Sequence, residues 1–136
     1  MKITKKRLND LIYQVNGAAI EVHKALGPGL LESVYHECMK HELYLRGIQF
    51  ESEHIIPIDY KGLVASTILR CDLLVENLLV VELKSVTEIH PIFEAKLLTY
   101  MKLLKLPKGL MINFNVKNIF HDGQKTYVNE MYYDVF

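Results

Sequence analysis

Two short apolar segments each carry one acid where an aliphatic residue would be the easy choice. Residues 67–75 read as a strand broken by Asp72, and residues 78–86 as a strand broken by Glu82, with Lys84 two positions further on. Aspartate is disfavoured in strand interiors, and burying an unpaired carboxylate is costly. Side chains alternate across a strand, so Glu82 and Lys84 project to one face. Glu76-Asn77 reads as the turn of a hairpin that brings the two breaks together. Register then imposes a sharp requirement. If Asp72 lies opposite Glu82, the hairpin centres on Asn77 and needs a three-residue turn or a one-residue bulge. A two-residue turn at Glu76-Asn77 would set Asp72 opposite Val81 and send Glu82 to the other face. Two carboxylates on one face form a hard-oxygen site suited to Mg²⁺ or Mn²⁺. A cation held there polarises a phosphoryl oxygen and activates water, and a neighbouring lysine orients that water and offsets charge building on phosphorus. That is the chemistry of phosphodiester hydrolysis. Asp72, Glu82 and Lys84 on a solvated sheet face would equally make an ordinary ion-pair cluster, because Asp…Glu-x-Lys is a short pattern.

The elements that would position these residues follow from periodicity. Residues 4–26 place Leu8, Leu11, Ile12, Val15, Ala19, Val22 and Leu26 at amphipathic helical spacing, stopped by Gly27-Pro28-Gly29. A second helix is expected over about residues 30–46, ending before Gly47. A strand over 48–60, weakened or bulged at Pro57, leads through a Lys61-Gly62 turn into the two acid-bearing strands. Pro91 opens a third helix that runs to about Leu104. A strand over 109–115, a turn at His121-Asp122-Gly123 and a last edge strand over 129–136 complete the order. The pattern predicts an α/β fold: a mixed sheet, with a three-stranded meander followed by a helix and further strands, flanked by helices.

Composition bounds the remaining choices. A chain of 136 residues, half of them hydrophobic, is the size of a single domain with one real core. The longest aliphatic runs, such as residues 78–81, are too short to span a bilayer. The basic start, residues 1–7, is followed by no apolar stretch of the kind a signal peptide needs. Cys38 and Cys71 stand in separate elements without a Cys-x-x-Cys pair, which argues against a disulfide scaffold or zinc knuckle. These features point to a cytoplasmic protein with no membrane partner. Lys+Arg and Asp+Glu both total 16, which weighs mildly against a dedicated high-affinity nucleic-acid binder. It leaves room for an enzyme that touches DNA through one local patch.

Asp72, nine intervening residues and Glu82-Leu83-Lys84 resemble the core motif of the PD-(D/E)xK nuclease superfamily. Upstream, Gly29-Leu30-Leu31-Glu32-Ser33-Val34-Tyr35 resembles the pattern that names the GxxExxY family within it. Residues 21–28 and 109–115 resemble that family too, so the likeness runs from about residue 8 to 125. The resemblance implies a restriction-endonuclease-like core and a divalent-metal-dependent nuclease, Mg²⁺ or Mn²⁺ being the ion and DNA the nucleic acid. Asp72, Glu82 and, as an auxiliary ligand, Glu32 would hold the metal, and Lys84 would position the attacking water. Many members carry a Gln-x-x-x-Tyr pattern on the helix after the third strand; here the matching residues are Lys96-Leu97-Leu98-Thr99-Tyr100, in which Tyr100 fits and Lys96 departs. The resemblance implies Lys96, Tyr100 and, from the upstream pattern, Tyr35 as nucleic-acid contacts; without it, Glu32 would be a first-turn acid at a helix N-terminus and Tyr35 a core residue. A lysine can hold a phosphate but cannot accept a hydrogen bond. The alternative is a catalytically silent module of the same fold that binds nucleic acid or a protein partner, with a homodimer as one form.

Other features carry less. His36 and His41 resemble a His-Glu-x-x-His zinc motif with one residue too many, and five residues turn a helix by about 140°, so the pair does not share one ion. His23 is either a cation at a helix C-terminus or a residue leaning toward the site. His54 and His90 have no partner evident in the sequence. Lys102, Lys105 and Lys108 fit a phosphate patch or a solvated helix end, and Tyr127, Tyr132 and Tyr133 fit an edge strand better than a base-stacking platform.

Overall fold

The computed structural model describes residues 3–136; Met1 and Lys2, the start of the basic N-terminal segment, lie outside them. Helix α1 (Lys5–Leu26) starts where the Thr4 hydroxyl accepts from the Arg7 amide. It buries Leu8, Leu11, Val15, Ala18, Ala19 and Val22, the stripe that a 3.6-residue period predicts. It ends at Gly27, whose φ of 71° suits a residue without Cβ. Helix α2 (Glu32–Leu45) buries Tyr35, Met39 and Leu43. Strand β1 (Phe50–Ile56) stops just before Pro57, and a small hairpin of β2 (Asp59–Tyr60) and β3 (Leu63–Val64) turns at Lys61-Gly62. Strands β4 (Leu69–Val75) and β5 (Leu79–Lys84) follow, then α3 (Pro91–Leu104), β6 (Lys108–Asn113), the short α4 (Ile119–Asp122) and β7 (Gln124–Val128). Among the described residues no helix is long and apolar enough to cross a membrane.

The five main strands form one sheet in the order β1-β4-β5-β6-β7. Only β5 and β6 are parallel, joined by the crossover through α3; the other neighbours are antiparallel. One face packs Leu73, Val75, Val81, Leu83, Leu110 and Ile112 against α1 and α2. The other packs Leu74, Val80 and Met111 against Leu97, Tyr100 and Met101 of α3. The backbone of β6 comes close to α3 at Gly109, where a Cβ would lie 2.7 Å from the Met101 sulfur. This is the expected mixed α/β sheet flanked by helices.

Two expectations fail locally. The edge strand is β7, not residues 129–136, which form a 3₁₀ turn (Glu130–Asp134) instead. Asn129 causes the break: its side-chain oxygen caps the turn at Met131 N and its amide nitrogen donates to Leu106 O. The turn expected at His121-Asp122-Gly123 is the end of α4, which Asn118 caps through the His121 amide.

The β4–β5 hairpin has the three-residue turn that the site requires. Leu73 pairs with Val81, Leu74 with Val80 and Val75 with Leu79. Glu76 and Asn77 both adopt left-handed conformations, with φ of 52° and 56°, although neither is glycine. The Glu76 carboxylate holds this turn in place by accepting from Arg7 and from the Gln49 amide.

Tyr35 ties the loop between α1 and α2 to the core. It is fully buried and stacked on Phe114 at 4.5 Å between ring centroids. Its hydroxyl donates to Gly27 O and accepts from Leu30 N. Tyr35→Phe keeps the stack but strands both backbone groups, so it is expected to lower unfolding free energy by about 1–2 kcal/mol. A reduced urea midpoint at unchanged slope checks this; an unchanged midpoint contradicts it.

Candidate active site

The β4–β5 ladder ends at Leu73 and Val81. The next pair in register is Asp72 and Glu82, and there side chains replace the backbone ladder. The Asp72 amide donates to Glu82 Oε2 at 2.7 Å, and the Leu83 amide donates to Asp72 Oδ2 at 2.8 Å. Each carboxylate is therefore held by the backbone of the opposite strand. Its second oxygen accepts no hydrogen bond among the described residues. Asp72 and Glu82 thus stand together as the register argument requires, and they stand where the strands part.

Burial makes this pair electrostatically tense. Glu82 is 6% exposed, and burial, reinforced by the Asp72 charge, pushes its carboxyl up to about 7 from 4.5. Burial also raises Asp72, against the opposing pull of the Leu83 amide and of the His36 and Lys84 charges. Lys84 is the nearest basic side chain on β5. Its ammonium lies 3.9 Å from Glu32 Oε1 and 4.4 Å from the centroid of Phe93, so it is pinned between the first turns of α2 and α3. Glu32 is raised by partial burial, with Lys84 opposing and Asp72 reinforcing the shift. The structure brings Asp72 and Glu82 together beside Lys84, and Glu32 of α2 approaches through Lys84; among the described residues the donor atoms of Glu32, Asp72 and Glu82 do not close to within 4.8 Å of one another as a set.

The floor beyond β5 is built by Asn113 at the end of β6. Its side chain accepts from Val86 N and Asn115 N and donates to Val86 O, which fixes the chain leaving Lys84. On α3, Lys96 and Tyr100 share a face but not a depth. Lys96 is exposed at the rim, where its charge weakly opposes the upward shifts of Glu82 and Glu32. Tyr100 is 5% exposed and feels the Glu82 and Asp72 charges from inside the core, so it does not offer the nucleic-acid contact expected of it.

Several expected contacts need correction. Tyr35 has no exposed surface, so the contact with nucleic acid expected of it does not exist in this arrangement; it braces the loop before Glu32. His23 does not lean toward the site: its ring bonds Val116 O at 2.7 Å. Lys108 is buried, bonded to Asn9 and set over the Tyr132 ring, so it leaves the proposed phosphate patch. Tyr127 donates its hydroxyl to Glu94, which ties β7 to α3. His54 pairs with Glu51 and His90 lies 3.8 Å from Glu88. The Cys71 thiol, fully buried beside Asp72, is pushed up to about 12 by that burial, consistent with an inert structural cysteine.

Two residues that the sequence did not connect with Asp72 adjoin it. Glu53 faces it from β1, between the pairs Ser52↔Leu73 and His54↔Cys71, and has a left-handed φ of 53° in mid-strand. His36 of α2 joins them: one donor atom from each of His36, Glu53 and Asp72 lies within 4.8 Å of the others. The spacing of β1 from β4 depends on the irregular stretch 57–68, so no residue count could have placed Glu53 opposite Asp72.

The anchored Asp72–Glu82 pair fits a divalent cation. Carboxylates with spare oxygens, rigidly held and partly desolvated, are what a hard ion requires. The family model of the PD-(D/E)XK nuclease superfamily matches residues 9–126. Nucleases of that superfamily typically use divalent metal ions. No curated protein and no solved structure matches the chain significantly.

The raised Glu82 carboxyl sets a pH dependence. Between its ordinary value of 4.5 and its folded value of about 7, the folded chain holds a proton that the unfolded chain has released. Stability of the metal-free protein therefore falls as pH rises through that window, and the full penalty stands above it. Glu82→Gln should raise unfolding free energy by about 1–3 kcal/mol at pH 8 and change it little at pH 4.5. Urea denaturation in the presence of a chelator, at both pH values, checks this; an equal effect at the two would contradict it.

Proposed function

Because the chain belongs to the PD-(D/E)XK nuclease superfamily, we propose that it is a Mg²⁺- or Mn²⁺-dependent nuclease that hydrolyses phosphodiester bonds of DNA. The observation that carries this reading is the half-used carboxylate pair. Asp72 and Glu82 each spend one oxygen on a backbone amide and keep the other. These two acids, with Glu32 as auxiliary ligand, would hold the cation. When bound, such an ion lends Lewis acidity to the phosphoryl oxygen and to the attacking water.

The remaining roles belong to the chain's own side chains. Lys84 presents ammonium donors beside the acids, where it can orient a water for in-line attack and offset charge developing on phosphorus. The Phe93 ring and Glu32 restrict its rotamers, which favours one geometry. Lys96 at the rim is placed to hold a neighbouring phosphate; the glutamine expected there would instead offer both donor and acceptor. Tyr100 packs in the core beneath the acids.

Membership of the GxxExxY family is the finer reading, and three positions support it. Gly29 adopts a φ of 95°, Glu32 reaches Lys84, and Tyr35 clamps the loop between them. The second functional reading, a silent binding module, draws on the zero net charge and on Lys96.

Single-turnover cleavage of a panel of DNA and RNA substrates separates the two. With Mg²⁺ or Mn²⁺ present, Glu82→Ala should abolish cleavage and Lys84→Ala should slow it about 10²–10³-fold. No cleavage by the unaltered chain, with DNA affinity insensitive to Lys84→Ala, would favour the silent module.

A further inference from the structure

We propose that His36, Glu53 and Asp72 form a second cation site, on the β1 side of Asp72, selective for a borderline transition ion such as Co²⁺, Ni²⁺ or Zn²⁺ over Mg²⁺. It shares only Asp72 with the nuclease site and does not depend on the nuclease reading.

Three elements contribute one donor each: α2 gives His36, β1 gives Glu53 and β4 gives Asp72. Their donor atoms lie within 4.8 Å of one another. Ligands at about 2.0–2.2 Å from one ion stand roughly 3–4 Å apart, so small side-chain rotations close the set. Glu53, the most exposed of the three, is free to make that adjustment. Asp72 is already anchored by the Leu83 amide through one oxygen, leaving the other for a ligand.

The histidine is oriented as a ligand should be. Its Nε2 lies 3.1 Å from Ser52 Oγ, while Nδ1 faces Glu53 Oε1 at 3.8 Å. A proton on Nε2 donated to Ser52 leaves the Nδ1 lone pair aimed at the two carboxylates. A second group that fixes the far ring nitrogen is the usual companion of a metal-binding imidazole. Glu53 holds this position with a left-handed backbone, a strained conformation for a non-glycine residue. The imidazole sets the selectivity. Mg²⁺ prefers oxygen and keeps its waters, whereas nitrogen with two carboxylates suits Co²⁺, Ni²⁺ or Zn²⁺.

Calorimetric titration of the chelator-stripped chain with Co²⁺ and with Mg²⁺ tests the proposal. The chain should take one more Co²⁺ than Mg²⁺. His36→Ala and Glu53→Gln should each weaken that extra event at least tenfold, while Glu82→Gln keeps it. Co²⁺ should also shift the His36 ring resonances in NMR spectra. His36 is only partly buried and Glu53 is exposed, and circular dichroism verifies that each variant is folded. Co²⁺ isotherms that coincide for the unaltered chain and both variants would overturn the site and leave His36–Glu53 as an ion pair. A His36-dependent Co²⁺ event without any Glu82-dependent Mg²⁺ binding would support this site while counting against the nuclease reading.

Discussion

The exchange between Asp72 and Glu82 is the constraint on which the site depends. Each carboxylate accepts the amide of the opposite strand at the point where β4 and β5 separate. An antiparallel pair that diverges leaves backbone donors without partners, and buried donors of that kind are costly. Here the acids satisfy them, so the gap that exposes the site is also what holds the acids still. The three-residue turn with left-handed Glu76 and Asn77 makes the exchange possible, because it sets the two acids in register. That turn is itself held by Arg7 and the Gln49 amide, which links α1 to a site on the far end of the hairpin.

The surroundings raise the energy of the charged pair rather than relieve it. Burial lifts both carboxyls, and the backbone amides and the His36, Lys84 and Lys96 charges that oppose the shift do not cancel it. A divalent cation would relieve this tension, which is why the same geometry that costs stability favours metal binding. The sheet is disturbed on the other side of Asp72 as well. Leu73 and Val75 pack toward α1 and α2, whereas Cys71, of the same parity, packs with Ile56 toward α3. Regular alternation would keep them on one face. The layer change falls at Glu53 and Asp72, where the β1–β4 pairing is interrupted and Glu53 turns left-handed. Irregular backbone thus collects around the one residue shared by both candidate cation sites.

Much of this was legible in the sequence, and the reasons are local. Asp72 and Glu82 stood out because each breaks an apolar strand once, and a short hairpin converts that spacing into proximity. The helices followed from their stripes and from Gly27, Pro91 and Gly47. What escaped was non-local or depended on single side chains. The family pattern points Tyr35 to the site, with a core position as the alternative, and the core position is what its hydroxyl bonds across the Gly27-Pro28-Gly29 loop and its stack on Phe114 give. Asn129 diverted the C-terminal segment from strand to 3₁₀ turn through two hydrogen bonds that periodicity does not register. His36 was weighed only against His41 on its own helix, whereas its neighbours, Ser52 and Glu53, come from β1.

The central claim is that the half-used carboxylates of Asp72 and Glu82 hold a divalent cation between them. Anomalous diffraction at the manganese edge, from crystals grown with millimolar Mn²⁺, tests it most directly. The account predicts a peak within coordination distance of both carboxylates, on the side of the oxygens that accept no backbone amide. No peak there, or density touching neither acid, would contradict it.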